Sequence, residues 1–100
     1  MNPQFLHDLL MEFARTELKD PRAELSLGRT GHGRLYAVIT SSTFDGMEVT
    51  VRQDRIWSFL RQRLDADDRQ QISAVFAKGI MEAVVEEYLS ESNQELSYLS

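Results

Sequence analysis

The residues that could do chemistry in this chain are few, and each has a plain structural alternative. His7 adjoins Asp8 on the polar side of a helical pattern. No second histidine or carboxylate stands at metal-ligand spacing on that face, so a solvated surface residue is the simpler reading. His32 sits between two glycines in Gly28-Arg29-Thr30-Gly31-His32-Gly33-Arg34. A ring nitrogen on such a loop can reach an external metal or partner. The same loop has the glycines and the two arginines of an anion-binding backbone nest. It lacks the Gly-Lys-Ser/Thr ending of a phosphate loop and the spacing of a dinucleotide loop, and a flexible hairpin explains it equally well. Ser41, Ser42 and Thr43 offer hydroxyls without an adjacent base. Asp65, Asp67 and Asp68 lack the glycine and glutamate of a calcium loop and suit a helix cap.

Arg52, Arg55 and Arg63 fall within about 80° of one another on a helix of 100° per residue. With Arg29 and Arg34 they form a candidate set for an anion or an acidic partner. Neighbouring Asp54, Asp65, Asp67 and Asp68 can equally quench that stripe into a solvated surface. No acid, base and nucleophile set can be assembled, so the expectation is a protein that is not an enzyme and carries no cofactor.

The elements that would position these residues follow from composition and periodicity. One hundred residues, 42% apolar and 27% charged, suit one soluble domain. The absence of cysteine excludes disulfides and cysteine-ligated metal sites built from this chain. No apolar run approaches the roughly 20 residues of a membrane span, and no signal layout opens the chain, so a cytoplasmic protein without a membrane partner is expected. Net charge is −5. Residues 82–100 hold five glutamates and no lysine or arginine, leaving the rest neutral, a balance that disfavours nucleic acid.

Residues 3 to 18 place Phe5, Leu6, Leu9, Leu10, Phe13, Ala14 and Leu18 on one helical stripe, capped by Asn2 and Pro3. Ala23, Leu25 and Leu27 alternate as in a half-buried strand. Leu35 to Thr40 is more continuously apolar, as in a central strand covered on both sides. Met47 to Val51 reads as an edge strand or as a lead into the next helix, which spans Gln53 to Leu64 with Ile56, Trp57, Leu60 and Leu64 inward. Residues 67 to 90 fit one long helix or a strand from Ile72 to Ala77 followed by a helix from Ile80 to Leu89. Gly79 and the β-formers favour the second reading. The expected fold is α+β: a single domain in the order α-β-β-α-β-α, with helices packed on one face of a three-stranded sheet. The domain covers residues 1–90, and residues 91–100 form a polar, frayed tail.

The stretch Phe44-Asp45-Gly46-Met47-Glu48-Val49-Thr50-Val51-Arg52-Gln53-Asp54-Arg55-Ile56-Trp57-Ser58-Phe59-Leu60 resembles the signature of the BolA-like family. That signature runs Phe, acid, Gly, then an Arg-His-Arg group, an aliphatic-aromatic pair and Leu. The resemblance implies the type II KH-like topology, residues 5 to 85 in family order, and a regulatory, stress-related role. It implies a monothiol glutaredoxin or a transcription-related partner and a shared [2Fe-2S] cluster, with His32 at the loop-ligand position. Ser73 stands where the family has its strand histidine, and Gln53 replaces the histidine of Arg-His-Arg. With one imidazole at the family's ligand positions and no thiol in the chain, it is expected not to ligate the cluster. Two alternatives accompany this reading: a nucleic-acid-binding KH-like module using the five arginines, and a small acidic chaperone or adaptor that dimerises. The resemblance leaves a monomer or a homodimer open.

Overall fold

Asn2 accepts the Gln4 amide at 2.8 Å and Pro3 fills the first turn, starting helix α1 over Pro3–Thr16. The computed structural model describes the backbone of residues 1–99 and the side chains of residues 1–89. Leu6, Leu9, Leu10, Phe13 and Ala14 are buried along α1. Phe5, assigned to the same stripe by spacing, lies 49% exposed, because the stripe that meets the sheet is narrower than its apolar residues. Lys19 takes a left-handed backbone (φ 53°) as the chain leaves the helix. The Asp20 amide then folds back to the Ala14 carbonyl at 3.0 Å.

Strand β1 (Glu24–Arg29) pairs antiparallel with β2 (Leu35–Thr40), and β3 (Ile72–Lys78) pairs parallel with β2, giving the order β1-β2-β3. The segment that fitted a long helix is therefore a strand, a break at Gly79, and a helix α4 over Ile80–Leu99. The α+β order α-β-β-α-β-α is established, with one further short helix, α3 (Ala66–Gln70), capped by Asp65 accepting the Asp68 amide at 2.8 Å.

Helix α2 spans Val49–Arg63, beginning four residues before the expected start, so Met47 to Val51 forms no edge strand. Its buried side chains are Arg52, Ile56, Phe59 and Leu60, while Trp57 packs only partly against the core. Helices α1 and α2 lie side by side on one sheet face, joined by Phe13 and Phe59 with ring centroids 5.3 Å apart. Leu35, Ala37, Ile39, Ile72 and Val75 meet them from the sheet. A register shift beside Leu35 and Tyr36 leaves Ser73 out of the pairing and exposed.

Strand β2 alternates between buried and more accessible residues instead of being covered twice. Its outer face carries Tyr36, 36% exposed, and the same face of β3 carries Phe76, 52% exposed, opposite Val38 in the register. Tyr36 lies over Gly28 of β1, where any side chain would collide with the ring. Helix α4 continues past its expected end at Leu89, and the side-chain docking of residues 91–100 lies outside the described residues.

Candidate interaction surfaces

The residues from Phe44 to Arg52 work as a clamp on the start of α4. Phe44 is fully buried, and Gly46 turns the chain with φ 82°, a left-handed conformation that glycine adopts without strain. The Asp45 carboxylate accepts the Met81 amide at 3.2 Å, satisfying a free donor of the first helical turn. It also lies so close to Gly79 that a Cβ there would overlap it. Gly79 thus both breaks the strand-to-helix junction and makes room for this cap.

Arg52, 4% exposed, reaches the same junction from α2. Its Nε donates to the Met47 carbonyl at 2.7 Å and its Nη1 to the Ala77 carbonyl at 3.2 Å. The guanidinium forks onto Glu82 at 2.5 and 3.0 Å, and it stands 5.9 Å from the Phe44 ring centre. These bonds hold Glu82 below the usual carboxylate range and push Arg52 further above its own, against the desolvation of each. Arg52 is therefore a buried joint between α2, β3 and α4, and the surface stripe of three arginines does not form.

Gln53 turns to β3 instead, donating to the Val75 carbonyl at 2.8 Å and accepting the Trp57 indole N–H at 3.2 Å. Arg55 donates to the Glu17 carbonyl at 3.0 Å. Arg63 pairs with Glu12 at 2.9 Å and lies 4.7 Å from the Phe59 ring centre, closing the seam between α1 and α2. Spacing alone misses these roles, because each acceptor lies far along the chain.

The hairpin loop brings Arg29, His32 and Arg34 together at the end of the sheet where β3 begins. The loop turns its amides on itself: those of His32 and Arg34 point at the Thr30 hydroxyl at 3.3 and 3.2 Å, and that of Gly33 at the Thr30 carbonyl at 2.9 Å. Arg29 donates to the Gly33 carbonyl at 2.8 Å, and Arg34 to the Gln70 and Ile72 carbonyls, both at 2.9 Å. His32 is exposed, at the sheet end that also carries Ser73. Among the described residues no group of three metal-ligating side chains forms.

Ser41 acquires a carboxylate that the sequence did not pair with it. Its hydroxyl donates to Asp20 at 2.6 Å and accepts the Thr43 amide at 3.1 Å. The serine bond holds Asp20 below the usual carboxylate range, with help from the Arg22 amide. Ser41 is fully buried, and this pair ties the end of α1 to the end of β2.

Among the described residues two apolar surfaces remain open to solvent. One is the outer sheet face with Tyr36 and Phe76. The other is α4, where Ile80, Met81, Val84, Val85, Tyr88 and Leu89 are all exposed. The helical spacing of the α4 residues was visible in the sequence, but it fits burial inside the domain just as well. Among the described residues no helix is long and apolar enough to cross a membrane. Comparisons with protein families, with curated proteins and with solved structures returned no match to this chain.

Proposed function

We propose that the chain is a non-enzymatic, BolA-like interaction protein that binds a monothiol glutaredoxin or a transcription-related partner and does not itself ligate an iron-sulfur cluster. The observation that carries the reading is the joint action of the 44–60 signature. Phe44, Asp45, Gly46 and Arg52 converge on one junction and fix α4 to the sheet. A signature used up in architecture leaves surfaces, not reactive groups, to meet partners. Its departures support the cluster clause: the Gln53 amide is engaged with Val75 and Trp57, and the Ser73 hydroxyl is a poor ligand for iron. The nucleic-acid alternative gains nothing from the five arginines, each of which donates to an acceptor within the chain.

Titrating the full chain into a monothiol glutaredoxin carrying its cluster tests both clauses, by calorimetry and visible circular dichroism. Saturable binding with an unchanged cluster spectrum is expected, for the native chain and for His32→Ala alike. Absence of binding at about 100 μM would overturn the partner clause. A new histidine-type spectrum that His32→Ala abolishes would overturn the cluster clause.

A further inference from the structure

The hairpin loop, with Arg29, His32 and Arg34, and the α3 segment, with Asp67, Gln70 and Gln71, line one open cleft of about 410 Å³. That size lies within the range of small-ligand sites, roughly 300 to 1,000 Å³. Its two guanidiniums are held by backbone carbonyls. Arg29 donates to the carbonyls of Gly33 at 2.8 Å and Met1 at 3.5 Å, while Arg34 donates through Nε to Gln70 and through Nη2 to Ile72, each at 2.9 Å. A carbonyl orients a guanidinium but leaves its full charge in place, and Nη1 of Arg34 has no acceptor among the described residues. None of the ion pairs among the described residues includes Arg29, Arg34 or Asp67. Two fixed positive charges against one carboxylate thus make the cleft net cationic, in a chain whose net charge is −5.

We propose that this cleft binds the phosphate group of a small phosphorylated molecule. The loop amides are taken up by Thr30, so the side chains do the binding. A phosphate offers acceptors in tetrahedral directions and can meet two guanidiniums at once, whereas a carboxylate has two oxygens in one plane and is satisfied by one fork. Small size follows from charge: nucleic acid draws its affinity from many phosphate contacts along a basic face, and this cleft supplies two arginines. His32, exposed on the same rim, can donate to the phosphate or to the group that carries it, a use that needs no iron. Asp67 opposes the anion and keeps the affinity modest. The site belongs to the chain alone and stands whether or not a glutaredoxin binds.

Inorganic phosphate, titrated into the nitrogen-15-labelled full chain at constant ionic strength and followed by NMR, is the test. Saturable shifts confined to the hairpin loop, the end of α3 and the Arg29 and Arg34 side chains are expected, with Kd on the order of 1 mM. Arg29→Gln and Arg34→Gln should each weaken binding about tenfold or more. Because Arg34 also braces the hairpin, a loss there has two explanations, and Asp67→Asn separates them. It removes an exposed carboxylate that pairs with nothing among the described residues, so Tm should hold while phosphate binds about two- to fivefold more tightly. Shifts that fail to saturate, shifts that acetate reproduces at equal concentration, or an Asp67→Asn chain with unchanged Kd would each overturn the proposal. Displacement of the phosphate by micromolar single-stranded DNA would overturn its small-ligand clause and assign the cleft to a nucleic-acid backbone.

Discussion

Arg52 bonds two backbone carbonyls and a carboxylate from a site that is 4% exposed. Arg52→Ala leaves the Met47 and Ala77 carbonyls without that donor and is expected to cost about 2–4 kcal/mol in urea denaturation. Arg52→Lys keeps the charge but not the planar fork, so it should recover only part of the loss. The two depressed carboxyls, Glu82 and Asp20, each contribute to the response to acid. Both titrate at ordinary values in the unfolded chain and lower in the folded one. Their contribution is therefore complete above about pH 5 and is lost as pH falls through the folded values. Thermal melts between about pH 6 and 2 should show this decline, with a shallower slope in Glu82→Gln and Asp20→Asn.

Helix α2 shows how an element can be legible while its roll is not. Trp57 and Phe59 are both large and apolar, and period alone placed Trp57 inside. The structure buries Phe59 to 5% exposure and leaves Trp57 at the margin of the core, where it bonds Gln53. The roll is fixed by Arg52, which must face the junction of β3 and α4, and that partner lies 30 residues along the chain. Phe59→Ala should therefore cost about 3–5 kcal/mol and Trp57→Ala clearly less, an order that chemical denaturation of the two variants checks. Features resting on local backbone chemistry were readable: the Asn2-Pro3 start, the Asp65 cap and the break at Gly79 need only their neighbours. Features that depend on what covers a surface were not. The apolar run of β2 and the stripe of α4 look the same in sequence whether they face a core or water. Their exposure is decided by which sheet face α1 and α2 occupy. The hairpin loop showed both sides of this limit, since its glycines marked a turn but could not reveal that Thr30 takes up its amides.

At the scale of the molecule, a sheet covered on one face and open along its outer strands risks pairing with other chains. Strand β3 is an outer strand carrying the exposed Phe76, and its segment Ile72–Ala77 is uncharged and rich in β-formers. Its carbonyls at Ile72, Val75 and Ala77 accept from the side chains of Arg34, Gln53 and Arg52 in turn. Side chains thus occupy acceptors that an incoming strand would otherwise take. This gives Arg34 and Gln53 a role that neither an anion site nor a ligand position requires. Removing both, as Arg34→Ala with Gln53→Ala, should cost roughly 1 kcal/mol for each bond lost, too little to unfold the domain. Its consequence should appear in association: thioflavin-positive aggregation at a temperature where far-UV circular dichroism remains native, suppressed when Phe76→Thr is added. If instead the double variant aggregates only after global unfolding, the side chains stabilise β3 without guarding its edge, and the protection resides in the packing of α2 alongside the strand.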